Sequence, residues 1–370
     1  MNALIAILLL FALLGAVDKI IGGKLGVAEE FDRGLAAMGP LCLSMSGVYC
    51  VAVAALGSHP EVLSAWGSVL PFDPSILAGA LLAPDLGGYP IASQLAATPA
   101  LAAYSGAMLS SLLGCLISFV LPTSLGSLES HEVGGFMRGI LWGIVAMPAA
   151  LAVGGLLAGL PVPSLLANLW PVLLLCAILC LALRFAPRAC IRVLSGLGLF
   201  VRAAGIVLFC IVVAGVFVPE WSMVPDTLVF EALTIALKCT VVVCGSTVAC
   251  GLLLAHCGGI VDKLAGRLGM NRYAVAGLFV SVASSLSMLP LYSRMDPRGK
   301  AANAAFAATG AFVFGGQLAF VSSVSTGNVV AAYVACKLVG GILAVWLAMH
   351  FTKGDELPAE RATEPAPACK

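Results

Sequence analysis

Residues 75–95 read SILAGALLAPDLGGYPIASQL, and residues 273–292 read YAVAGLFVSVASSLSMLPLY. Both stretches are apolar enough to lie in a bilayer, and neither is a plain helix. The first is broken by Pro84, Gly87, Gly88 and Pro90, the second by a serine cluster and Pro290. Proline removes a backbone donor and clashes with the preceding turn, and glycine weakens a helix interior. In lipid, the backbone groups so freed are tolerated only where protein or a water-filled cavity satisfies them. These two segments therefore read as re-entrant hairpins or unwound helices that line a cavity.

The rest of the chain sets them in a polytopic α-helical membrane protein. Of 370 residues, 61% are hydrophobic and 10% charged, against about 45–50% and about 25% in soluble domains. The mean hydropathy is +1.08. Such a chain lacks the polar surface of a soluble enzyme, and its formal charge of +1 leaves no basic footprint for nucleic acid. A span needs about 20 apolar residues. Nine stretches qualify: 1–22, 34–58, 99–122, 136–160, 164–184, 196–218, 229–255, 301–322 and 328–350. Met1–Val17 has no basic leader and reads as a retained span rather than a cleaved signal.

Basic loops orient the spans. Arg184, Arg188 and Arg192, then Lys263, Arg267 and Arg272, then Arg294, Arg298 and Lys300 all belong in the cytoplasm. The last two groups flank 273–292, so that segment enters and leaves on one side. The loop 219–228, acidic at Glu220 and Asp226, belongs outside, and 75–95 then opens from the outside. The loop 123–135 falls inside, although it carries Glu129 and Glu132 and no Lys or Arg.

The order of two spans, a broken element and two spans occurs twice. This predicts a first repeat over 1–160, a linker span and basic loop over 161–195, a second, inverted repeat over 196–352, and a disordered polar tail over 353–370. Inverted repeats with discontinuous helices are a transporter architecture. The 13 cysteines lie mostly in apolar runs and form no CxxC, and the four histidines form no HExxH. No metal, no cofactor and no enzyme activity is expected.

Asp85 is the only charged residue between Asp73 and Glu129. A carboxylate at membrane depth costs about 2.5–3.5 kcal/mol on insertion scales, unless paired or hydrated. Its natural partner is a cation, such as a substrate amine; the alternative is a helix cap on the amides of Gly87 or Gly88. Ser281, Ser284, Ser285 and Ser287 offer hydroxyls to a small polar solute or to their own backbone. Gln317 lies in GGQLAF (315–320), where backbones can approach closely. Tyr49, Tyr89 and Tyr292 offer ring faces to an ammonium or anchor at an interface. Lys337 lies deep in a span and needs a partner or a route to snorkel. The candidate binding set is Asp85, Gly87, Gly88, Tyr89, Ser284, Ser285, Ser287 and Gln317.

Four motifs carry a family resemblance: DRGLAAMG (32–39), LLAPDLGGYPIASQLA (81–96), RMDPRGKAANAAFA (294–307) and KLVGG (337–341). They resemble the ethanolamine utilisation permease family, EutH, over most of residues 1–350. The resemblance implies a multi-pass permease of the bacterial inner membrane that takes up ethanolamine. Asp85 is kept. The chain has Ser284 and Ser285 where the family has an Asn pair, and Gly316 and Gln317 where it has Asp-His, so it resembles a divergent member. The rival readings are a transporter of another small amine or polar metabolite, and a non-transport membrane protein.

Overall fold

A computed structural model describes residues 3–58, 70–129, 131–256 and 258–352. The tail 353–370, read from sequence as disordered, and His59 lie outside the described residues. Among the described residues the regular elements are all helical. They are α1 (Ala3–Ile20), α2 (Ala28–Ala55), α3 (Ser75–Leu81), α4 (Gly88–Leu95), α5 (Pro99–Ser127), α6 (Val133–Leu157), α7 (Val162–Phe185), α8 (Pro187–Phe217), α9 (Asp226–His256), α10 (Gly258–Leu268), α11 (Arg272–Ala283), α12 (Pro297–Thr309), α13 (Gly316–Val324) and α14 (Gly327–Phe351). Eight of these, α1, α2, α5–α9 and α14, are long and apolar enough to cross a membrane. The chain is an all-α, multi-pass membrane protein.

One of the nine expected spans, 301–322, is not continuous. It is split into α12 and α13 by residues 310–315, where Phe312 takes φ 64. The amides of Phe312 and Phe314 leave the helical ladder and donate to Ser281 O (3.0 Å) and Val282 O (3.1 Å). The unwound segment thus runs alongside the break of the second hairpin. Gly315 backs onto Ala283 so closely that a Cβ would meet the Ala283 carbonyl. The span α5, by contrast, stays unbroken but widens into π-helix over Ala103–Gly114 and Leu116–Val120. Ser105 Oγ donates to Leu101 O at 2.7 Å and Ser118 Oγ to Gly114 O at 2.7 Å, hydroxyl bonds made within the widened helix.

Both broken elements are hairpins closed by an aspartate at the base. Asp73, just before α3, accepts from Ala97 N, just after α4, at 2.9 Å. Asp296, just before α12, accepts from Asn271 N, just before α11, at 2.8 Å, and Asn271 Nδ2 donates to Arg294 O at 2.8 Å. Asp296 also caps α12 through Gly299 N. Chain ends brought together this way mean that 73–97 and 271–296 each return to the face they leave.

Those faces are opposite. Lys300, at the start of α12, pairs with Glu132, just before α6, at 3.0 Å, and Arg298 reaches Met349 O at the end of α14 at 3.4 Å. The base of the second hairpin therefore shares a face with the α5–α6 turn. At the other end of α6 lies α7, where Asn168 Oδ1 accepts from Asp73 N at 2.8 Å. The acidic loop 123–135 accordingly stands with the basic loop 293–300.

The packing crosses between the halves. α1 packs on α9, and α8 packs on α2. The tightest seams use small residues, as membrane helices do: Gly139 and Gly143 of α6 face Ala301, Ala304, Ala305 and Ala308 of α12. One helix was not expected. The stretch 256–272, read as a loop, contains α10, an amphipathic helix that buries Val261 and Ala265 and leaves Lys263 and Arg267 outward.

Candidate functional site

The first hairpin breaks because three successive positions refuse a helix. Leu82 is extended, Pro84–Leu86 make one 3-10 turn, and Gly87 sits at φ 98, in the left-handed region that disfavours side chains. Ala83 carries the turn: its carbonyl accepts from Leu86 N (3.0 Å) and Gly88 N (2.9 Å), and its amide donates to Ser118 Oγ of α5 (3.0 Å). With Gly88 N already used, the Asp85 carboxylate is not a helix cap; α4 has no side-chain cap. Among the described residues, only its own amide bonds it. The carboxylate is half-buried.

The turn that bears Asp85 packs against α2, α5 and α13. Asp85 lies within electrostatic reach of Cys115 of α5, Cys239 of α9 and Tyr333 of α14. Cys115 is in hydrogen-bonding reach of Gln317 and beside Lys337. Gln317 opens α13, is 4% exposed, and leaves its Oε1 without a partner. Asp85 and Gln317 thus face one small region at the junction of the two breaks.

The serines stand on the far side of segment 310–315. Ser281 and Ser285 are fully buried and their hydroxyls have no partner. Ser284 is extended and half-buried, and Ser287 is half-buried. They adjoin the turn 312–315 rather than the Asp85 turn, so the segment that ends at Gln317 connects the two polar clusters. Gly87 and Gly88 shape the turn: a Cβ on Gly88 would meet the Ala83 carbonyl at 2.7 Å.

The tyrosines divide. Tyr89 donates to Val324 O (3.1 Å), bonds Ser325 Oγ (3.0 Å) and sets its ring edge-on to Phe320. It closes the end of α13. Tyr49 donates to Glu231 at 2.9 Å. Tyr292 lies at the opposite end, fully buried against Phe136 near the base of the second hairpin. It is remote from Asp85's turn and offers no ring face there.

Lys337 has a role that the sequence left open. It is 2% exposed, and its Nζ donates to Ser111 O (2.6 Å) in the π-helical part of α5 and to Ala311 O (2.8 Å) in the break after α12. One turn earlier, Tyr333 donates to Phe312 O at 2.9 Å. Among the described residues no group of His, Cys, Asp and Glu could hold a metal ion.

Residues 1–351 match the family described as "Ethanolamine utilisation protein, EutH". The chain is 33% identical over 351 residues to the "Probable ethanolamine permease EutH" of Listeria monocytogenes, covering 94% of this chain and 93% of that one. It is 30% identical over 392 residues to the "Probable ethanolamine permease EutH" of Salmonella typhimurium, covering 95% of each. It is 31% identical over 368 residues to the "Uncharacterized protein YxeR" of Bacillus subtilis, covering 98% and 96%. No solved structure matches the chain significantly.

Proposed function

We propose that this chain, which belongs to the EutH family, carries protonated ethanolamine across the bacterial inner membrane. One observation bears the reading: a half-buried carboxylate, Asp85, stands in the break of a re-entrant hairpin with no cap and no counter-charge bonded to it. Such a group in a membrane interior calls for a cation. Ethanolamine is largely protonated at neutral pH, and its ammonium suits Asp85. Its hydroxyl would donate to Gln317 Oε1, with the hydroxyls of Ser284, Ser285 and Ser287 along the route beyond. Gly87, Gly88 and Tyr89 shape the pocket wall.

In this reading residues 1–160 and 196–352 are two inverted repeats joined by 161–195. The hairpins that approach from opposite faces give each repeat one gate, and rocking of one repeat against the other opens the site alternately. The protein moves solute and carries out no covalent chemistry.

Counterflow in proteoliposomes of the purified protein tests this. Vesicles loaded with unlabelled ethanolamine should accumulate labelled ethanolamine transiently. Ethylamine, which lacks the hydroxyl, should compete more weakly. Absence of exchange would refute the proposal, and equal competition by ethylamine would make the solute a simple amine.

A further inference from the structure

We propose that the Lys337 ammonium is a resident cation, held on its own side chain where a transporter would otherwise bind a coupling ion, so that solute movement needs no inorganic cation. The proposal rests on the transporter reading above. Its geometric basis is the convergence of backbone carbonyls at one buried point. The break after α12 releases carbonyls from the helical ladder, and the π-helical widening of α5 loosens others. One from each, Ala311 O and Ser111 O, meets Lys337 Nζ at 2.8 and 2.6 Å. Carbonyls of unwound segments beside the C-terminal end of a half-helix are the ligands by which such proteins hold Na⁺ or a proton. α12 ends at Thr309, two residues before Ala311, and the negative end of its dipole points toward the same place.

Two further facts favour a cation site over a stray lysine. Lys337 stands ten residues from the start of α14, or about 15 Å at 1.5 Å per residue. That is too deep to snorkel to either surface. The site is also shared: Ser111 belongs to the first half and Ala311 to the second. The ammonium therefore ties the halves together where α5 widens and the α12–α13 span is broken, as a bound ion would.

The test uses purified full-length protein and two readouts. First, thermal unfolding without any amine is followed against NaCl, LiCl, KCl and choline chloride at constant ionic strength. Wild type should respond equally to all four. Lys337→Ala, which empties the site but leaves the carbonyls, should have a lowered Tm that Na⁺ or Li⁺ restores saturably and choline does not. Second, ethanolamine uptake by wild type should be the same, within twofold, with and without a Na⁺ gradient. Should Lys337→Ala not fold, Lys337→Arg keeps the charge and should transport independently of Na⁺. Wild-type uptake that requires Na⁺, a Lys337→Ala protein indifferent to the cation, or a Lys337→Arg protein whose uptake requires Na⁺ would each overturn the proposal. The unfolding readout needs no ethanolamine, so a chain that binds a different solute would fail the functional reading without failing this one.

Discussion

Replacing Asp85 by Asn separates charge from shape at the centre of the site. The side chain keeps its size and its hydrogen-bonding atoms and loses only the negative charge. Because only its own backbone amide bonds the carboxylate, and an Asn oxygen can still accept from that amide, no protein group is left unpaired by the change. Stability should therefore hold or rise slightly, since an uncompensated charge leaves a half-buried position. Binding of an ammonium should fall. Truncating one partner of a buried charge pair costs about 2–5 kcal/mol. Asp85 is only half-buried, so water screens part of the attraction and the lower part of that range applies, about 2–3.5 kcal/mol. At 1.4 kcal/mol per factor of ten, the dissociation constant should rise about 30- to 300-fold. Equilibrium binding of ethanolamine to purified protein measures this, with the unfolding temperature as control. Near-wild-type affinity in a stable Asp85→Asn protein would refute the assignment of the ammonium to Asp85.

Four other outcomes follow from named contacts. Asp296→Ala removes charge-assisted bonds to Asn271 N and Gly299 N, worth about 1.5–3 kcal/mol each; the Tm should drop clearly, and an unchanged Tm would remove the hairpin clasp from the argument. Glu132→Gln leaves Lys300 without its charged partner, at a cost of about 3–5 kcal/mol where the pair is buried, and Glu132→Leu with Lys300→Met should recover most of it in denaturation experiments. Ser285→Leu, at a fully buried position, should block uptake at equal expression while lowering stability by about 1–3 kcal/mol, whereas Gly87→Leu would add backbone strain at φ 98 and report on folding instead. A cysteine placed at Arg267 in α10, in a cysteine-depleted background, should react with impermeant reagents from the cytoplasmic side alone; labelling from outside intact cells would invert the orientation.

Much of this arrangement is legible in the residues. Unbroken apolar runs give the long helices, and Pro84, Gly87 and Pro290 mark two breaks. The basic loops on both sides of 273–292 already require a hairpin. Asp296 followed by Pro297 is a helix-start signal that would have located the clasp, since Asp caps and proline suits the first helical turn. The break at 310–315 was hidden because Gly, Ala and Phe there suit a membrane helix; only the neighbouring Ser281 and Val282 carbonyls draw the chain out of it. α10 was hidden because eleven residues with two outward cations also describe a loop. The partner of Lys337 was unreadable for a plainer reason: its acceptors are backbone carbonyls, which every residue possesses. Asp85 was visible as a lone carboxylate, but whether it caps α4 depended on Gly88 N, whose proton goes to Ala83.

The exchange of first helices between the halves, α1 onto α9 and α8 onto α2, bears on how the chain is made. When the ribosome has delivered residues through α6, α1 has no α9 to pack against. Its groove beside Gly15 waits for Val248, and the Leu8 backbone waits for Gly245. The early product thus has its first hairpin packed on α5 and α6 on α5, while α1 still lacks its main partner. Seating of α1 and completion of the α2 seam wait until α9 arrives. Fragments cut at the α6–α7 turn should be unstable singly and should recover a folded protein when produced together in one cell.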